Sequence, residues 1–211
     1  MDCAKLQKRK GVILNTAMKF YCDEQRCIDC HGCEVACKEA HELPVGINRR
    51  RVVTLNDGVE GKEVSISVAC MHCSDAPCQQ VCPVDCFYIR DDGIVLHDKD
   101  KCIGCGYCLY ACPFGAPQFP TTSLFGTKGV MDKCTMCAGG PDETHSSKEF
   151  HTYGQNRIAE GKVPMCAAMC STKALLVGES NEVSNIYRSR VASRGKGVQS
   201  QPFGWSEAYG K

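Results

Sequence analysis

Sixteen cysteines in four runs of four are the residues of this 211-residue chain whose type and spacing could do chemistry. The first run is Cys27-x2-Cys30-x2-Cys33-x3-Cys37, and the third, Cys102-x2-Cys105-x2-Cys108-x3-Cys112-Pro113, repeats it. The second, Cys70-x2-Cys73-x4-Cys78-x3-Cys82-Pro83, widens one gap by two residues, and the fourth, Cys134-x2-Cys137 with Cys166-x3-Cys170, widens the same gap to 28. One local structure is therefore expected four times over. A cubane iron-sulfur cluster presents four iron corners, and a C-x2-C-x2-C loop can curl around it with three thiolates on three corners and its amides toward the sulfurs. So short a loop cannot reach the last corner. The fourth cysteine of each run, entering a helical turn, is expected to face away and to ligate the other cluster of a pair. Four clusters of the 4Fe-4S type would use sixteen of the nineteen cysteines.

Two other cysteine chemistries fit less well. Zinc takes C-x2-C pairs, whereas three runs here are complete ferredoxin-type quartets and two carry Pro directly after the last Cys. Disulfides between cysteines two or three residues apart do not reach the required Cα separation and dihedral without strain. Cys3, Cys22 and Cys86 have no partner at ligand spacing and read as small free hydrophobes. His31 and His72 lie inside the loops, but every corner already has a thiolate, so they read as neighbours of the clusters or surface residues.

The elements that must hold these loops are short. Gly32, Gly104 and Gly106 sit inside them, where a missing Cβ lets backbone N–H groups approach inorganic sulfide. Phe87-Tyr88-Ile89-Arg90 and Ile94-Val95-Leu96-His97 flank Asp91-Asp92-Gly93, the pattern of a β-hairpin joining the second and third loops. A second hairpin is predicted from Arg51–Leu55 and Glu63–Val68 around Asn56-Asp57-Gly58. The best helix runs from Glu182 to Val191.

Composition agrees with an inorganic interior. Leu, Ile, Val and Phe make up about a fifth of the chain, at the edge of what a purely hydrophobic core needs. A formal net charge of +1 points to neither nucleic acid nor an anionic membrane surface. The basic start is followed only by Gly11-Val12-Ile13-Leu14, which is no secretory h-region, and no apolar run is long enough to span a bilayer. Arg49-Arg50-Arg51 reads as a solvated or interface-facing patch with no assigned role. No acid–base pair, activated nucleophile or nucleotide loop is present, so catalysis is expected to belong to a partner.

In four stretches the chain resembles the iron-sulfur beta subunit of molybdenum- or tungsten-dependent formate dehydrogenases. They are CMHCSDAPCQQVCPVDCF from Cys70, GIVLHDKDKCIGCGYCLYACPFGAPQFP from Gly93, MDKCTMCAGGP from Met131 and NRIAEGKVPMCAAMCSTKALLVGE from Asn156; the likeness covers about residues 18 to 192. The cysteine pattern is shared with electron-transfer subunits of nitrate, dimethyl sulfoxide, polysulfide and thiosulfate reductases, and the segments between the cysteines carry the formate likeness. The resemblance implies an α+β fold of two ferredoxin-like halves, one inserted within the other, with short strands, short helices and long loops. The outer motifs would make one half from 18–60 and 130–180, and the inner motifs the other from 61–129. Residues 181–211 would be a C-terminal helix and tail, partner-binding or flexible.

The resemblance also implies the ligand sets: Cys27, Cys30 and Cys33 with Cys170; Cys134, Cys137 and Cys166 with Cys37; Cys70, Cys73 and Cys78 with Cys112; and Cys102, Cys105 and Cys108 with Cys82. On this reading the chain relays single electrons from a molybdenum or tungsten pterin catalytic subunit to an acceptor such as a membrane cytochrome b. The complex would serve anaerobic respiration on the periplasmic side of the inner membrane, exported with its partner, a cytoplasmic complex being the alternative. Alternatives for function are the iron-sulfur subunit of another molybdopterin oxidoreductase, or a free ferredoxin-type carrier. One departure is the tail: membrane-bound relatives often end in a transmembrane helix, whereas the last residues here are Gly- and Ser-rich, with Phe203, Trp205 and Tyr209 as candidate partner anchors.

Overall fold

Strand-forming residues come in runs of three to six, and each run finds one antiparallel partner. The computed structural model describes residues 17–120, 129–138 and 156–194, so Cys3 and the aromatic residues of the tail lie outside the described residues. β1 (Met18–Cys22) pairs with β6 (Leu175–Glu179), β2 (Arg50–Leu55) with β3 (Val64–Ala69), and β4 (Phe87–Ile89) with β5 (Val95–His97). The last two pairs are the hairpins that the turn residues predict, with Arg50 opposite Ala69 and Phe87 opposite His97. The first pair joins the beginning and end of the described chain, Met18 standing opposite Glu179. With short helices between these ribbons, the fold is α+β.

The helices follow the cysteines. α1 (Gly32–Ala40), α2 (Pro77–Gln80), α3 (Tyr107–Ala111) and α4 (Met165–Ala168) each begin one residue before the third cysteine of a motif. The fourth cysteine stands four positions later, one turn along the same side, which separates the two sulfurs enough to serve different centres. Pro83 and Pro113 follow the fourth cysteines of the inner motifs and stop the chain from extending α2 and α3. α1, with no such stop, runs on to Ala40 and buries Cys33, Ala36 and Cys37. α1 packs on α4, and α2 on α3.

Few large apolar side chains lie inside. Buried groups consist mostly of cysteine and alanine, joined by Ile94, Val95, Leu96, Met131 and Met136. Phe20, on β1, packs on three of these groups at once. α5 (Ser180–Arg194) lies over β1 and β6. It is held by Asp23, whose buried carboxylate accepts hydrogen bonds from Arg190 at 3.2 Å and from Arg194, and by contact between the Tyr21 and Tyr187 rings. No helix among the described residues is long and apolar enough to cross a membrane.

The arginine triplet is not a solvated patch. Arg49 and Arg50 are buried, and only Arg51 faces out. β2 alternates in and out from its first residue, so Arg50, Val52 and Thr54 share its inner side. Arg49 donates through Nη2 to one carboxylate oxygen of Asp132 at 2.9 Å and through Nε to the other, and this two-point pairing is what makes its charge tolerable inside.

Candidate functional site

All four motifs turn on the same backbone device. The residue before the second cysteine is left-handed in each: Asp29 (φ 55°), His72 (φ 46°), Gly104 (φ 68°) and Met136 (φ 58°). Such a residue turns successive N–H groups toward one concave side, a cradle for anionic atoms. Away from glycine the conformation costs about 1–3 kcal/mol, and it persists where the surroundings over-determine it. A second left-handed residue stands three positions after the last cysteine of three motifs, at Asp85, Gly115 and Lys173. Its N–H donates to the carbonyl of Cys82, Cys112 or Cys170 at 3.5, 3.2 and 3.2 Å.

Space as well as torsion constrains the third loop. A Cβ on Gly104 would stand 2.6 Å from the Gly129 carbonyl oxygen, whereas one on Gly115 meets nothing within 4 Å. Gly104→Ala is therefore expected to displace the Cys102–Cys105 loop and lower the bound iron. Gly115→Ala should keep its iron and lose about 1–2 kcal/mol. Iron analysis beside the denaturant midpoint of visible bleaching checks both. Gly32 differs from the expectation that it makes room, since a Cβ there would only touch Cys30 Sγ at 3.7 Å.

The thiols gather in sets drawn from two motifs each. One pocket is walled by Cys27, Cys30, Cys33 and Cys170. Another is walled by Cys70, Cys73, Cys78 and Cys112. Cys37, Cys134, Cys137 and Cys166 are all buried together. Burial pushes the Cys37 thiol up, and so do the neighbouring Cys134, Cys166 and Cys137 sulfurs. Burial likewise raises Cys108 to about 12, with Cys102, Cys78, Cys105 and Cys82 beside it. Among the described residues no group of three His, Cys, Asp or Glu side chains is close enough to hold a single metal ion.

Donors surround these sulfurs. The amides of Met131, Met136 and Cys86 lie 3.4, 3.3 and 3.4 Å from Cys102, Cys134 and Cys82 Sγ. Cys102 is lowered to about 5, chiefly by a hydrogen bond from the Cys86 thiol and against the effect of burial. Burial opposes ionisation of Cys170 too, yet the amides of Leu175, Ala174 and Lys173 and the Thr172 hydroxyl bring it down. His41, held neutral by burial at a pKa of about 4, has Nε2 3.2 Å from Cys137 Sγ. Hydrogen bonds of this kind tune a cluster's potential and hold its ligands in place.

Several of these residues escape a reading by motif. Cys86 and Cys22 are not merely filler: the first adjoins Cys82 and Cys102, and the second accepts the Ser67 amide at 3.3 Å beside Cys27 and Cys33. His72 is fully buried, its Nδ1 accepting from the Val95 amide at 3.1 Å, whereas His31 is exposed between Asp29 and Glu34. Lys133, buried against the inner cavity, donates to the carbonyls of Val95 and Cys134. The alternation of β2 could have found Arg50, because Val52 must face inward; nothing in the spacing singles out His41 or Lys133.

Repeated cysteine triads, each with its own amide cradle and a remote fourth sulfur, on an α+β scaffold of short ribbons, define an iron-sulfur electron-transfer protein. Residues 62–148 match the family model of the 4Fe-4S dicluster domain. The protein is 76% identical over 192 residues to the formate dehydrogenase iron-sulfur subunit of Wolinella succinogenes, covering 91% of this sequence and 96% of that one. With a subunit of the anaerobic dimethyl sulfoxide reductase of Escherichia coli it shares 36% identity, over 81% of its own length and 77% of the relative. To a thiosulfate reductase electron transfer subunit of Salmonella typhi it is 35% identical, over 82% and 85%. The chain belongs to the family of formate dehydrogenase iron-sulfur subunits, within a wider group of reductase electron-transfer subunits.

Proposed function

We propose that this chain is the relay of a formate dehydrogenase complex, carrying four 4Fe-4S clusters in two ferredoxin-like halves, one inserted within the other. The outer half comprises residues 18–60 and 130–180 and the inner half 61–129. The supporting observation is that two cavities are each walled by three cysteines of one motif and the last cysteine of another. The chemistry supplied by a bound cluster would be the uptake and release of a single electron. The protein supplies the rest. Triads such as Cys27, Cys30 and Cys33 would hold each cluster, and Cys170, Cys37, Cys112 and Cys82 would supply the fourth thiolate across each pair. Amides in the left-handed turns donate toward the sulfurs, and burial excludes water, so the potentials are set locally.

The partner in this proposal is a catalytic subunit bearing a molybdenum or tungsten pterin that oxidises formate, with the outer pair nearer to it and the inner pair nearer a cytochrome b or other acceptor. We place the complex on the periplasmic side of the inner membrane, exported with that subunit; cell fractionation would decide it. Anaerobically isolated native complex is expected to be brown, with about sixteen iron and sixteen sulfide per relay subunit, and formate should reduce the clusters as seen by electron paramagnetic resonance. Reduction by another donor with silence toward formate would reassign the substrate. A colourless preparation without sulfide would end the cluster assignment.

A further inference from the structure

Arg50 is charged, buried and short of partners. Its side chain comes from the inner face of β2 and lies over the Phe20 ring, 4.4 Å from guanidinium carbon to centroid. Nη1 donates to the Ser67 hydroxyl at 3.1 Å and to the Ser67 carbonyl at 3.3 Å. Nε and Nη2, both sealed from solvent, have no hydrogen-bond partner among the described residues. Among the described residues no carboxylate pairs with it. A guanidinium cannot shed its proton to escape such a site, and an uncompensated buried charge is strongly disfavoured. Anionic atoms must therefore face it from what the surrounding sulfurs hold.

The surroundings name them. Phe20, beneath the guanidinium, packs on the group containing Cys33, Cys166 and Cys170 and on the group containing Cys70, Cys134 and Cys112. The Ser67 hydroxyl that accepts from Arg50 has its own proton free for Cys33 Sγ, 3.3 Å away. Burial works against the charge of Arg50, and the sulfurs of Cys166, Cys134, Cys33 and Cys37 outweigh it. Those four belong to the two ligand sets of the outer half.

We propose that Arg50 is a positioning cation shared by the two outer clusters, its free Nε–H and Nη2–H groups directed to their sulfurs and its Nη1–H acting on Cys33 through Ser67. This rests on the ligand sets proposed above. Reduction adds a negative charge to a cluster whose thiolate and sulfide shell is already anionic, so a fixed neighbouring cation stabilises the reduced form and raises the potential.

The test is a redox titration of the native complex followed by electron paramagnetic resonance, with the outer signals assigned by their loss in Cys166→Ala and Cys170→Ala. Arg50→Gln is expected to lower both outer midpoints by about tenfold in the reduction equilibrium, which is 59 mV for one electron, and to leave the inner pair in place. The shift should be the same at pH 6 and pH 8, since the guanidinium stays charged throughout. Arg50→Lys, which keeps the charge, should recover more than half of it. Arg51→Gln, on the exposed face, should change nothing. Full iron and sulfide with unmoved midpoints in Arg50→Gln would overturn the inference while leaving the cluster assignment intact, whereas low sulfide in the wild-type complex would instead strike the assignment. If Arg50→Gln cannot hold its clusters, Ser67→Ala decides: a lowered midpoint confined to the cluster on Cys33 supports the role of Arg50, and no shift overturns it.

Discussion

Cys166→Ala is expected to empty one cluster site and Cys170→Ala a different one, although the two positions stand a single helical turn apart. Cys166 is the second residue of α4 and lies buried with Cys37, Cys134 and Cys137. Cys170 follows α4, where the chain turns back toward β6, and walls the cavity of Cys27, Cys30 and Cys33. Each variant should lose about a quarter of the iron, and a different component of the reduced spectrum should vanish in each. Changes to residues that merely support a metal ligand typically cost 10–100-fold, so loss of a ligand should slow formate-driven reduction of the acceptor by at least about 100-fold. If both variants lost the same spectral component, the exchange of sulfurs between motifs would be wrong.

Asp132→Ala should be the most destabilising change away from the cysteines. Its carboxylate is buried, accepts from Arg49 through two nitrogens and from Lys99 Nζ at 2.8 Å, and is held well below the usual carboxylate range by them, against the cost of burial. Beside it, Gln118 exchanges backbone hydrogen bonds with Asp132 at 2.8 Å each way, and its side chain accepts from the Asn48 amide at 2.8 Å. Residues of the first, third and fourth motif regions are thus fastened at one point, two positions before Cys134. Removing the anion leaves Arg49 and Lys99 crowded in a poorly hydrated place, a change expected to cost about 3–5 kcal/mol. Bleaching of the visible absorbance should move to distinctly lower guanidinium concentration. The pair Arg49→Met with Asp132→Leu should recover most of the loss, because two apolar groups replace two charges that each need the other. A single variant as resistant as wild type would show that the pair holds nothing.

The parts of this molecule governed by local chemistry could be read from the sequence. Asp91-Asp92-Gly93 and Asn56-Asp57-Gly58 announce two hairpins, and α5 extends the expected helix only by two or three residues at each end. The cysteine spacing suggests a helical turn at each fourth cysteine, whereas the short helices begin one residue before the third, and Cys82, Cys112 and Cys170 lie just past their ends. What it could not give is long-range pairing. β1 has an ordinary sequence, Met-Lys-Phe-Tyr-Cys, and nothing in it specifies Leu175–Glu179 as its partner. Charge also misleads. Three consecutive arginines look like a surface, and only the pleat of β2 together with Asp132 makes the inside acceptable to two of them. The repeated left-handed turn was visible only where glycine filled it; Asp29, His72 and Met136 adopt it without that signal.

The β1–β6 ribbon has a consequence for how the molecule is made. Synthesis delivers the inner loops complete once Cys112 has emerged, whereas β1 must wait, unpaired, for β6 to leave the ribosome. The seam between the two strands closes last, and an apo chain arrested before that point would expose Phe20 and the bare edge of β1 to whatever chaperone or neighbour it met first.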